Sequence, residues 1–134
     1  MKSLIRNSNQ AKQGIDFTGI QNGKIHPTDI DAVLEFDNKT LILIEVKKSN
    51  NDLPTGQKLV LERICDNWTN KEEDKRGIAL YVTHSFNDDT KDIPLVDCMV
   101  ERYYLNGSWY TIKYSLKDTL NRLGKNWNIK KLKI

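Results

Sequence analysis

The chain has 134 residues, 29% of them charged and 38% hydrophobic, with a formal net charge of +3. That suits one domain around one modest core, excludes a disordered composition, and is too weakly basic to announce nucleic acid by itself. No apolar run nears the roughly 20 residues needed to cross a bilayer. The opening "MKSLIRNSNQ" lacks the apolar core of a secretory signal, so a cytoplasmic location is the expectation.

In chain order, a short helix is conceivable from Leu4 to Gln13, and "IQNGKI" could turn at Asn22-Gly23. Pro27 disfavours helix at His26 and sets up an extended entry. The first clear strand is "IDAVLEF", Ile30 to Phe36, and "TLILIEVKK" follows after "DNK". Asp and Asn tolerate the left-handed backbone of tight turns, so the pair reads as a hairpin. "LPTGQKLVLERICDNW" then shifts to helical spacing, with Leu61, Ile64, Cys65 and Trp68 on one side. Asp52 or Thr55 could cap its start, and Gly77 is a natural stop.

"IALYVTHS" is almost continuously apolar, as a central strand covered on both faces should be. "DCMVERYYLNGSWYTIKY" carries Asn106-Gly107 between two strand-like runs, a strong hairpin signal. Tyr103, Tyr104, Trp109 and Tyr110 are expected to brace that hairpin. In "SLKDTLNRLGKNW", Ser115 stands three residues before Asp118, and Leu116, Leu120 and Leu123 share a helical face. The order hairpin, helix, strand, hairpin, helix makes a mixed α/β protein, a single domain over residues 1–134. Cys65 and Cys98 read as buried thiols. His26 and His84 have no companion at zinc-ligand spacing. No acid follows Asp118, while Arg122, Lys125, Lys130, Lys131 and Lys133 accumulate. That end could follow phosphates or be a solvated tail.

Charges interrupt the first hairpin where it should be most buried. Side chains alternate along a strand, so Glu45 and Lys47 share one face while Ile42, Ile44 and Val46 fill the other. With a three-residue "DNK" loop, Phe36 stands opposite Thr40, Val33 opposite Leu43, and Asp31 opposite Glu45. The two carboxylates would then have Cβ atoms roughly 5 Å apart. Carboxylates that close repel, and a hard divalent cation removes the repulsion. Such an ion also sharpens a water as nucleophile and neutralises charge on a phosphate. Lys47 could orient that water or stabilise the developing oxyanion. Gln57 falls on the apolar stripe of the following helix and needs a partner for its amide. Either the site region or a first-turn backbone group would serve.

Asp31 followed by "IEVKK", with Glu45-Val46-Lys47 inside it, resembles the PD-(D/E)xK motif of the restriction-endonuclease-like nuclease superfamily. "GQKLVLERI" resembles the Gln-x-x-x-Tyr glutamine motif of its exonuclease-like branches, with Gln57 in place and Leu61 where the tyrosine would stand. The stretch from about His26 to Ile64 is also similar to small stand-alone nuclease-like proteins of bacteriophages and prophages. The resemblance implies an αβββαβ core, a mixed sheet flanked by helices, here with an added C-terminal hairpin and helix. It implies Mg²⁺ or Mn²⁺ held by Asp31, Glu45 and the Val46 carbonyl, with Asp29 as the alternative aspartate. It implies DNA as substrate, Lys47 and Gln57 as catalytic partners, and the cytoplasm of a bacterial host. Lys48, Lys58, Arg63 and His84 are weaker candidates for DNA contact. A homodimer fits an enzyme whose single site cuts one strand. Two rivals stay open: an idle DNA-binding module, and a phage protein that inhibits a host defence or replication protein.

Overall fold

Asp37 and Asn38 both adopt the left-handed backbone region, with φ of 54° and 57°. This closes the expected three-residue loop between β1 (Ala32–Phe36) and β2 (Thr40–Lys48). The Lys39 amide donates to the Phe36 carbonyl at 2.9 Å, and the Asn38 amide donates to Glu35 Oε1 at 2.6 Å. The antiparallel register runs from Ala32 opposite Ile44 to Phe36 opposite Thr40, as the alternation requires. The computed structural model describes residues 15–21, 23 and 27–134. The helix read over Leu4–Gln13, Asn22 of the expected turn, and His26 lie outside the described residues.

After β2 the chain crosses over through α1 (Thr55–Trp68) and returns as β3 (Arg76–His84), parallel to β2. A short 3₁₀ turn, Leu95–Asp97, leads to β4 (Met99–Leu105) and β5 (Ser108–Ser115), and α2 (Leu116–Asn126) closes the fold. The five strands lie in sequence order in one sheet, antiparallel except for the β2–β3 pair. This is a mixed α/β architecture. Among the described residues two strands, rather than the three of an αβββαβ core, precede α1; before them stands one isolated bridge, Thr18 to Gln21.

β3 occupies the middle of the sheet, and its residues from Gly77 to Thr83 are all buried. α1 covers one face and α2 the other. On the α2 face Ile42, Ile44, Ile78, Leu80 and Val82 meet Leu116, Leu120 and Leu132. On the α1 face Leu41, Leu43 and Ala79 meet Leu61 and Cys65, with Ile64 and Trp68 half-buried beside them. Burial pushes the Cys65 thiol up to about 12, so it packs as an inert apolar group. Cys98 is likewise a buried free thiol.

Two local expectations are corrected. α1 is preceded by Pro54 with no side-chain cap, so neither Asp52 nor Thr55 fills that role. The helix stops at Trp68 rather than near Gly77, because Thr69 turns extended and its hydroxyl donates back to the Cys65 carbonyl at 2.8 Å. Gly77 instead lies in β3, where an added Cβ would sit 2.9 Å from the Cys65 carbonyl oxygen. Its missing side chain lets α1 approach the sheet.

The second hairpin turns at Asn106-Gly107 with φ of 50° and 85°, the positive pair a two-residue loop favours. Tyr103 stacks on Tyr110 at 5.1 Å and Tyr104 tilts against Trp109 at 5.4 Å. Ser115 caps α2 by accepting the Asp118 amide at 3.1 Å. Beyond α2 the basic end is not wholly solvated. Leu132 is buried, and Asn121 holds the Ile134 backbone at both its amide (2.7 Å) and its carbonyl (3.1 Å).

Candidate active site

β1 stops at Ala32, one residue short of the position opposite Glu45. The Asp31 side chain continues where the strand leaves off: its Oδ2 accepts the Val46 amide at 2.8 Å. A residue's N–H and C=O leave an antiparallel strand on the same side. The Val46 carbonyl therefore also points toward Asp31, into the gap that β1 does not fill.

Glu45 lies on the α1 face with Leu41 and Leu43, and only 2% of it is exposed. Three groups converge on its carboxylate. Gln57, in the first turn of α1, donates from Nε2 to Oε1 at 3.0 Å. Lys47, two residues on in β2, brings Nζ to 3.3 Å of the same oxygen, with 26% of its side chain exposed. Asp31 supplies a second negative charge from the neighbouring strand's edge. Burial first, and then the Asp31 charge, raise the Glu45 carboxyl above its ordinary value, while Lys47 pulls the other way.

Glu45 Oε2 and Gln57 Oε1 are both buried without a hydrogen-bond partner. Two orphaned buried acceptors, with the Asp31 charge acting on one of them, are costly in a protein interior. They are also the hard oxygen donors that suit magnesium or manganese. The residues present fit a hard divalent ion held by Asp31, Glu45 and the Val46 carbonyl. No group of three or more His, Cys, Asp or Glu side chains forms among the described residues, so such an ion would complete its shell with water.

The structure brings Asp31, Glu45, Lys47 and Gln57 together. Asp29 joins through its main chain, whose carbonyl accepts Gln57 Nε2 at 3.4 Å. The Gln57 amide thus finds its partners in the site region, the Glu45 carboxylate first and the Asp29 carbonyl more weakly, and not in a first-turn backbone group. The weaker DNA-contact candidates scatter. Lys48 and His84 are register partners, and alternation puts both on the α2 face, opposite Glu45. His84 Nδ1 accepts the Phe86 amide at 3.2 Å. Lys58 leans away toward β5, 5.5 Å from the Trp109 ring. Arg63 is exposed on α1, and its carbonyl accepts from Asn67. Thr83 escaped the sequence reading, although it is the register partner of Lys47 on the same face. The available signal was that "IALYVTHS" turns polar at Thr83 before its strand ends.

No family model matches the chain, and neither the curated proteins nor the solved structures contain a match.

Proposed function

We propose that this protein is a metal-dependent deoxyribonuclease of the restriction-endonuclease-like type, hydrolysing DNA phosphodiester bonds with an activated water. One observation carries the reading. A buried glutamate with an unpartnered oxygen sits beside an aspartate from the adjoining strand edge and within 3.3 Å of a lysine ammonium. A purely structural ion pair needs one carboxylate for one ammonium, and the second acid and the orphaned oxygen would then only cost stability. The ββαβ order, with Glu45 and Lys47 near the end of the strand before the crossover helix, supports the reading as far as a mixed α/β sheet goes, one strand short of the αβββαβ core among the described residues.

Bound at Asp31, Glu45 and the Val46 carbonyl, Mg²⁺ or Mn²⁺ would supply Lewis acidity toward the phosphate and the water. Each protein group then has one task. Gln57 fixes Glu45 Oε1 through a 3.0 Å hydrogen bond and so selects the carboxylate rotamer that leaves Oε2 free. The Val46 amide holds Asp31 Oδ2 and leaves the other Asp31 oxygen for the site. The Lys47 side chain is part-exposed, so Nζ can donate to a non-bridging phosphate oxygen or to the oxygen of the attacking water.

Supercoiled plasmid incubated with Mg²⁺ or Mn²⁺ tests this. Nicking or degradation is expected, abolished by chelator and by Glu45→Ala or Lys47→Ala. A salt-sensitive gel shift with no product under any metal condition would instead favour the idle-module reading.

A further inference from the structure

On the α1 face, register continues a row outward from the candidate site: Glu45 pairs with Tyr81, Tyr81 with Arg102, and Arg102 with Thr111. The loop of residues 49–53 crosses above this row, where the Tyr81 hydroxyl donates to the Asn51 carbonyl. Against the loop opens a second cleft of about 540 Å³, lined by loop residues 49–52 and by Thr83, Glu101, Arg102, Thr111 and Lys113 among others. Thr83 is the direct neighbour of Lys47, so the cleft begins one strand away from the catalytic lysine.

Arg102 is there because the sheet is irregular. Val100 packs in the α2-face core, so strict alternation would send residue 102 to that same core. The β3–β4 register slips at this point, with Tyr81 opposite Arg102 and Val82 opposite Val100. Glu101 is the extra residue of a bulge, which aims a strand's side chains afresh. Both Glu101 and Arg102 reach the α1 face as a result. Glu101 Oε1 accepts from Thr83 Oγ1 at 3.1 Å, and the Arg102 guanidinium lies 4.8 Å from the Tyr81 ring centre. The guanidinium thus lies over the Tyr81 ring, and its only ion-pair partner among the described residues is the fully exposed Asp52, at 4.0 Å. Lys113 has no hydrogen bond or ion pair among the described residues. An arginine held over an aromatic ring with one loose, exposed ion-pair partner, in the same cleft as an unpaired lysine, has the chemistry to take up phosphate oxygens.

We infer that this second cleft carries the substrate strand away from the cut: Arg102 and Lys113 bind backbone phosphates flanking the scissile one. The inference rests on the nuclease reading and adds the path of the substrate. At roughly 5 Å per strand spacing, Arg102 stands about 10 Å from Glu45, within a short run of nucleotides. Asp52 must release Arg102 as a phosphate arrives, which its exposure permits. Glu101, acidic and fixed by Thr83, keeps the strand on the Arg102–Lys113 side.

The test uses the full chain carrying Glu45→Gln, expected on the nuclease reading to bind without cutting, and a short fluorescein-labelled single-stranded oligodeoxynucleotide with Mg²⁺. Anisotropy titrations at several salt concentrations follow Arg102→Ala, Arg102→Lys and Lys113→Gln. Each neutral replacement should weaken binding on the order of tenfold and lower the salt slope by about 0.7, one phosphate's share for a single strand. Arg102→Lys should keep the slope and lose part of the affinity, since a lysine cannot grip a phosphate with two parallel bonds. In the cleaving protein the same replacements should act on KM more than on kcat. Binding with unchanged affinity and slope in both Arg102→Ala and Lys113→Gln would overturn the path and leave the nuclease reading intact. No binding by the parent chain would likewise overturn the path, and the nuclease reading falls with it only where the unsubstituted chain also fails to nick plasmid. Lys113 is exposed, so Lys113→Gln keeps the test decisive even where Arg102→Ala unfolds.

Discussion

The two faces of β2 and β3 are built from alternate residues of the same strands and differ along their length. Toward α2, Ile42, Ile44, Ile78, Leu80 and Val82 form an apolar surface that turns polar only at Lys48 and His84, the last residues of the two strands. Toward α1, Leu41, Leu43 and Ala79 begin in the same way, but Glu45, Lys47 and Thr83 follow toward the strand ends. The helices mirror the contrast. α2 starts with a side-chain cap from Ser115, whereas α1 starts at Pro54 with none and no acid in its first turn. The polar half lies where the parallel pair β2–β3 ends and α1 begins, with uncapped helix amides adding positive potential. One face maximises burial; the other gives up stability to hold charge.

The sharpest way to break that contrast is to remove the charge and keep the shape. Glu45→Gln should lower metal-dependent cleavage on the order of a thousandfold or more, about 4 kcal/mol of transition-state stabilisation. The variant should stay folded, because a carboxamide brings N–H donors to a pocket that holds acceptors without them. Plasmid nicking and urea unfolding on the same preparation check both halves. Loss of fold together with loss of activity would mean that Glu45 is structural.

The complementary change belongs on the other face. Leu80 is fully buried at the centre of the α2-side core. Leu80→Ala should cost about 2–5 kcal/mol, the removed surface plus the cavity left behind. Cleavage per folded molecule should hold, since no site group packs against that side chain. Urea midpoints paired with activity below the transition would show it. Equal loss of specific activity would mean that the two faces are not independent.

Much of this contrast could be read in advance. The Asp31–Glu45 facing followed from two facts of the sequence, an Asp-Asn loop of fixed length and the two-residue repeat on either side. Lys48 and His84 illustrate a signal present but unused, because each sits an odd number of positions from a residue of the site face. The Arg102 cleft was unreadable. "CMVERYY" carries no local mark of the bulge at Glu101, which depends on how β4 meets β3. The same holds for Gly77, a stop by its residue type and a point of helix contact by its tertiary neighbours. The absent cap on α1 was equally hidden, since Asp52 and Thr55 are both capping residue types and only the path of the loop over Tyr81 decides against them.

A smaller effect sharpens the comparison through pH. The Glu45 carboxyl is held above its ordinary value of 4.5 by burial first and by Asp31 second. The folded state therefore keeps this proton to higher pH than the unfolded chain does. Its contribution to stability is complete below the ordinary value and is lost as pH rises through the folded value. With chelator present, wild-type stability should fall relative to Glu45→Gln as pH rises from below the ordinary value of 4.5 through the raised folded value. Adding Mn²⁺ at the higher pH should restore it by mass action. Urea unfolding across pH measures the gap, and parallel curves would remove the charge strain from the account.

The smallest expected effect falls on the capped helix. Ser115→Ala takes away the acceptor for the Asp118 amide and should cost about 1 kcal/mol. The loss is limited because the neighbouring Thr119 hydroxyl donates to the Ser115 carbonyl at 2.9 Å, a bond to the backbone that alanine retains. α2 also keeps Leu116 and Leu120 in the core, so the helix is held by packing whether or not its first turn is capped. Cleavage should be unchanged, since Ser115 belongs to the helix on the apolar side. A shift of the urea midpoint without a change in kcat/KM is the outcome that keeps the two faces separate. A change in kcat/KM would instead mean that strain at the start of α2 reaches the site through β5 and β4.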